Sequence, residues 1–155
     1  MLIRRAELSD TDGINSLLHQ VLDVHHRGRP DLFRENAKKY TDEQLKQIIC
    51  DDTKPIFVAA DGDKILGYAF CVFIRHENDN ILTDIKTLYI DDLCVDENSR
   101  GEHIGRALYD YVASFAREQD CYSVTLNVWA CNAGALKFYE KCGLKPQKIG
   151  MEEVL

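Results

Sequence analysis

At 155 residues and a formal net charge of −7, the chain fits one domain, 1–155, with a sizeable hydrophobic core and the composition of an ordinary soluble protein. It holds no run of about 18 apolar residues, which excludes a spanning helix. The acidic balance works against binding a phosphate backbone, which needs a basic face, and is compatible with a cationic substrate, although solubility alone makes many proteins acidic.

Leu2 to Arg5 reads as a short strand. The N-terminal stretch turns polar too early for a secretory apolar region, so the cytosol is the expected compartment. Ser9-Asp10-Thr11-Asp12 supplies a helix cap with an acid three positions on, and Ile14, Leu17, Leu18, Val21 and Leu22 make the buried stripe of a helix to about Leu22. Val24 to Asp31 interrupts it, with Gly28 and Pro30 ending helical continuity and Asp31-Leu32-Phe33 opening a turn or short helix. His25 and His26 do not make a metal site, because adjacent helical residues do not face each other and no third ligand is near. The six cysteines include no C-x-x-C pair and sit mostly in apolar stretches, so neither a disulfide framework nor zinc is expected.

Thr41-Asp42-Glu43-Gln44 is a capping box opening a helix to about Cys50. Ile56 to Ala60 and Ile65 to Ile74 read as strands joined by the Asp61-Gly62-Asp63 hairpin. A long strand follows near Asp84 to Val95, then a polar turn, then a helix from Ile104 on Leu108, Tyr111, Val112 and Phe115. Tyr122 to Val128 is a strand, Asn132 to Cys142 a helix stopped by Gly143, and Leu144 to Leu155 supplies one or two final strands. The strand-helix-strand crossover between 84 and 128 implies a parallel pair in a mixed, mostly antiparallel six- to seven-stranded α/β sheet with helices on both faces.

Three features carry chemistry. The turn with Gly101 and Gly105 leaves main-chain N–H groups unpaired at a helix start, which suits an anion such as a phosphate, although an ordinary strand-to-helix connection has the same look. Asp91 and Asp92 lie in a strand that should be central, where at least one carboxylate faces a covered region. Either it is paired, a bulge turns one acid outward, or desolvation and the like-charged neighbour raise one pKa toward that of a general base. Asn132 and Tyr139, seven residues apart, fall within about 20° of one helix face and could line one groove.

Arg100-x-x-His103-x-Gly105, the acid-bearing strand before it, and Asn132-x-x-Ala135-x-x-x-Tyr139 before Gly143-Leu144 together closely resemble the GNAT superfamily of N-acetyltransferases. Its usual signature is Arg/Gln-x-x-Gly-x-Gly/Ala after the fourth strand, then Asn-x-x-Ala-x-x-x-Tyr before a Gly-Phe step. The element order matches over the whole chain and the motifs span residues 90 to 144. The resemblance implies the acyl-CoA N-acyltransferase fold with a splayed parallel strand pair at its centre. It also implies acetyl-CoA as co-substrate, no metal, and direct transfer to a primary amine in a ternary complex.

On the family's pattern, the pyrophosphate rests on the amides of Arg100, Gly101, Glu102, His103, Ile104, Gly105 and Arg106. The pantetheine pairs with Leu93, Cys94 and Val95, where an amide polarises the thioester carbonyl. Asn132 steadies the pantetheine, and Tyr139 is the general acid for the departing thiolate. Asp91 first and Asp92 second resemble the acidic pair of the polyamine acetyltransferases, implying a base and a small cationic amine as acceptor. Two departures stand out. His103 replaces the first motif glycine. Asn127 occupies a position where some ribosomal-protein acetyltransferases carry a catalytic glutamate, which disfavours a protein N-terminus. The competing readings are a non-catalytic acyl-CoA-binding regulatory module and a protein or peptide amine acetyltransferase. Homodimers are common in the superfamily, and neither nucleic acid nor membrane is an expected partner.

Overall fold

The hairpin β2 (Ile56–Asp61) and β3 (Lys64–Ile74) is the middle of the sheet, turning through Gly62 at φ +57, a conformation that a side chain resists. The computed structural model describes residues 1–155. β1 (Leu2–Arg5) pairs antiparallel with β2, and β4 (Thr87–Val95) pairs antiparallel with β3. β5 (Ser123–Leu126) pairs parallel with β4, giving the order β1-β2-β3-β4-β5.

Helices cover both faces because each carries one apolar stripe. On one face, Ile14, Leu17 and Leu18 of α1 (Thr11–Gly28) and Leu45 and Ile49 of α2 (Asp42–Ile49) pack with Ile56, Val58, Tyr68 and Phe70. On the other, Leu108 and Val112 of α3 (Ile104–Glu118) are fully buried, Leu108 on Ala59 and Val112 among Phe57, Ala69, Leu88 and Ile90. α4 (Ala133–Lys141) closes the chain's regular structure. The Thr41–Gln44 capping box forms as the sequence predicts, with Gln44 N–H donating to Thr41 at 3.2 Å and Thr41 N–H donating to Gln44 Oε1 at 2.9 Å.

The structure corrects four expectations. The sheet has five strands, not six or seven, since Leu144 to Leu155 forms none. Pro146 and Gly150 weaken strand propensity there, and the segment is pinned by two Arg29 hydrogen bonds to Glu152 at 2.7 and 2.8 Å. The parallel pair consequently lies at the sheet's end rather than at its centre.

The other two corrections concern α1. It runs to Gly28, not Leu22, because nothing from Val24 to Arg27 opposes a helix and His25, His26 and Arg27 suit the negative end of its dipole. Its start is built by Glu7 and Asp10 around a 3-10 turn at Leu8–Asp10 rather than by a Ser9–Asp12 box. Asp10 is diverted because Arg4 grips both its oxygens, at 2.7 and 2.9 Å.

Candidate active site

The two acids of β4 sit at an irregularity in its pairing. Phe70 faces Asp92 and Cys71 faces Ile90, so Asp91 is an extra residue in the ladder, a β-bulge. The bulge reverses the strand's alternation. Leu88 and Ile90 point toward α3, yet beyond the acids it is Leu93 and Val95 that do so, while Cys94 joins the α1 core. Asp91 and Asp92 therefore both face the α1–α2 side, where strict alternation would have separated them.

Each acid has its own partners there. Lys39 Nζ and the Tyr40 hydroxyl both donate to Oδ2 of Asp91, each at 2.7 Å. The Tyr40 ring stacks on Phe70 with centroids 5.4 Å apart. Asp92 accepts from the Tyr68 hydroxyl at 2.8 Å. Burial pushes the Asp92 carboxyl up to about 6, with the Asp91 charge adding to the rise and the Tyr68 hydrogen bond and Lys39 opposing it. Lys39, Tyr40 and Tyr68 escaped the sequence reading. Tyr68 alone left a trace, a hydroxyl within the otherwise apolar run Ile65 to Ile74 that had to find a partner once buried.

Both acids open onto a cavity of about 1950 Å³ whose wall includes His25, Phe33, Lys39 and, from α4, Tyr139. The Tyr139 hydroxyl has no hydrogen-bond partner in the protein, and burial with the nearby Asp92 charge raises its pKa, keeping the phenol protonated. The paired part of β4 and β5 ends at Ile90 and Leu126, and from there to Val95 β4 is paired on its β3 side only. Donation from Asp96 N–H to the Leu66 carbonyl at 2.8 Å fixes the phase of pairing with β3. The main-chain groups of Leu93 and Val95 thus face the open side, whereas those of Cys94 face Tyr68. Cys94 is buried, its thiol 3.7 Å from the Leu17 carbonyl and pushed up to about 12 by burial.

Past β4, Arg100, Gly101, Glu102 and His103 make an exposed turn that is not part of the cavity wall. The amides from Arg100 to Arg106 donate to no main-chain carbonyl, so a row of N–H groups is left at the start of α3. Gly101 (φ +88) and His103 (φ +62) both take the left-handed conformation, which explains why the motif favours glycine at the position of His103. Ile104 is buried, and a side-chain carbon on Gly105 would come 3.4 Å from Phe138 and Val95, so this glycine brings α3 close to α4. Arg106 reinforces that contact, donating to the Lys141 carbonyl at 3.2 Å and to Asp110 at 2.9 Å. Asn132 caps α4, its Oδ1 accepting from Ala135 N–H at 3.1 Å, which leaves its amide nitrogen uncommitted. Asn127 donates to the Tyr89 hydroxyl at 3.2 Å.

A mixed sheet whose parallel edge pair parts beside two carboxylates and a phenol, followed by a row of free amides, can seat an anionic cofactor next to groups that exchange protons. Residues 18–144 match the Acetyltransferase (GNAT) family, and the chain belongs to it. Its activity class is accordingly acetyl-CoA-dependent N-acetyl transfer. Among curated proteins, the glucosamine 6-phosphate N-acetyltransferase of Arabidopsis thaliana is 27% identical over 97% of this chain and 94% of its own. Glucosamine 6-phosphate N-acetyltransferase 1 of Dictyostelium discoideum is 29% identical over 96% and 87%. Among solved structures, a mutant of the BH1408 protein from Bacillus halodurans superposes with a TM-score of 0.95 at 30% identity, covering 100% of this chain and 99% of that one.

Proposed function

We propose that this protein transfers the acetyl group of acetyl-CoA directly to the primary amine of a small molecule, with Asp92 as the proton acceptor and Tyr139 as the proton donor. The observation that carries the reading is that both groups face one cavity beside the open edge of β4, one carboxylate with a raised pKa and one phenol without a partner. The amine arrives as an ammonium and must lose a proton before its lone pair can attack. Asp92 takes that proton, directly or through a water. The free main-chain groups of Leu93 and Val95 suit the pantetheine and the thioester carbonyl, and the amides of Gly101 to Arg106 suit the diphosphate. As the carbon–sulfur bond breaks, Tyr139 hands its proton to the departing thiolate.

The choice of Asp92 over Asp91 reverses the order implied by resemblance. Its support is that Asp91 already accepts from an ammonium and a phenol, whereas Asp92 accepts from a single neutral hydroxyl. One uncompensated carboxylate fits one ammonium, so a compact amine with a single reactive nitrogen is favoured within the small cationic class, ahead of a polyamine. The curated relatives are named for glucosamine 6-phosphate, a compact molecule with one amine and an anionic phosphate, which supports the single amine and not a cationic preference. The test is thiol release from acetyl-CoA against glucosamine 6-phosphate, glucosamine, polyamines, aminoglycosides and short peptides. The expected result is fastest release with a compact monoamine. Binding of acetyl-CoA without thiol release from any acceptor would replace this reading with the regulatory module.

A further inference from the structure

The connection between α1 and α2 brings a lysine into the cavity wall, and acetyl transfer by Asp92 and Tyr139 gives it no task. Lys39 Nζ lies 2.7 Å from Oδ2 of Asp91, the same oxygen that accepts from Tyr40. Tyr40 is fixed by its stacking on Phe70, and Phe70 in turn meets Tyr68 edge-on with centroids 4.9 Å apart. The side chains of Lys39 and Asp91 are 41% and 27% exposed, so solvent screens part of the ion pair and its charge compensation is moderate. Because the bulge turns Asp91 and Asp92 to the same side, two carboxylates on consecutive residues would repel there, and one would hold a proton rather than share the space charged.

We propose that Lys39 is a positioning residue that cancels the charge of Asp91, so that Asp92 remains ionised and able to accept a proton, with Tyr40 locking the pair in place. The inference rests on the reading of Asp92 as proton acceptor. Six groups face or flank Asp92: Tyr68 from β3, Asp91 and Cys94 from β4, Lys39 and Tyr40 from the α1–α2 connection, and Tyr139 from α4. His25 of α1 lies close enough to Lys39 to feel its charge. Of these, Lys39 alone carries a permanent positive charge, and it lowers the Asp92 pKa while Asp91 raises it. A lysine that merely tethered the loop would behave differently. Breaking a tether from either end has the same effect, whereas removing one or the other of two opposite charges shifts Asp92 in opposite directions.

That difference is the test. The full chain is labelled with carboxyl-13C aspartate and titrated by NMR without acceptor, the Asp92 resonance being identified by its loss in Asp92→Asn. The expected midpoint for Asp92 moves up by roughly one pH unit in Lys39→Met and down in Asp91→Asn. It returns close to wild type in the double variant and stays there in Lys39→Arg. Shifts of the same sign in Lys39→Met and Asp91→Asn, or no shift in either, overturn the proposal. If the opposite shifts appear but Asp92→Asn keeps full turnover in the thiol-release assay, charge compensation stands and the assignment of Asp92 as proton acceptor falls.

Discussion

The Tyr68 hydroxyl donates to Oδ2 of Asp92 at 2.8 Å, and the ring behind it is completely buried between the sheet and α1. A neutral donor on a fixed ring holds the carboxylate in place without neutralising it. Asp92 is therefore a charge that the fold tolerates at a cost, and the cost is measurable.

Burial in the folded protein pushes the Asp92 carboxyl up to about 6, against an ordinary 3.8. A carboxyl whose pKa is raised by folding contributes most below its unfolded pKa, and that contribution is lost as pH rises through the folded value. Asp92→Asn is expected to stabilise the protein by roughly 2–3 kcal/mol at pH 8 and hardly at all at pH 4, while abolishing turnover. Urea unfolding at the two pH values checks the first part, because a gain independent of pH would mean that the carboxyl titrates normally.

Tyr139→Phe removes the phenol and leaves the ring. The expected loss is on the order of 100-fold in kcat with the acetyl-CoA KM unchanged. Steady-state kinetics separates the two constants, and a rise in KM alone would assign Tyr139 to binding rather than to proton transfer.

His103 holds φ +62 with a full side chain, a conformation costing roughly 1 kcal/mol that glycine does not pay. His103→Gly is expected to raise stability by about that amount with no change in acetyl-CoA affinity. Thermal unfolding and calorimetric titration with acetyl-CoA check the two halves. Weakened binding in the glycine variant would show that the imidazole itself contacts the diphosphate.

Asp10 is buried and accepts two hydrogen bonds from Arg4 and one from Glu7 N–H at 2.8 Å. The Arg4 hydrogen bonds hold its pKa below the usual carboxylate range. A pKa lowered by folding gives stability that is present above the unfolded value and lost as pH falls through the folded one. Asp10→Asn is expected to cost about 2 kcal/mol near neutrality, and the gap from wild type should close in acid. Denaturant midpoints between neutral and acidic pH would expose the error if the gap stayed constant.

The sequence by itself settled the features that depend on near neighbours. The Thr41–Gln44 box, the Gly62 hairpin, the stripe on α3 and the Asn132-to-Tyr139 spacing are set within a turn or two of chain, and all form where the residues imply. The motif residues from Gly101 to Gly105 also announced a turn with unpaired amides. Local signals misled where a distant partner outbid them: Arg4 drew Asp10 out of the expected cap, and Arg29 pinned Glu152 in a segment that reads as strand.

The tertiary structure alone decided where the two acids point and which partners each one has. A period of two says that consecutive residues part company across a sheet, and only the pairing with Phe70 and Cys71 reveals the bulge that turns both aspartates to one side. Lys39 and Tyr40 reach them from a connection about fifty residues earlier in the chain. No periodicity or motif encodes that meeting, because it depends on how α1 and α2 seat on the sheet. Charges that distant along the chain become neighbours only after the core has packed.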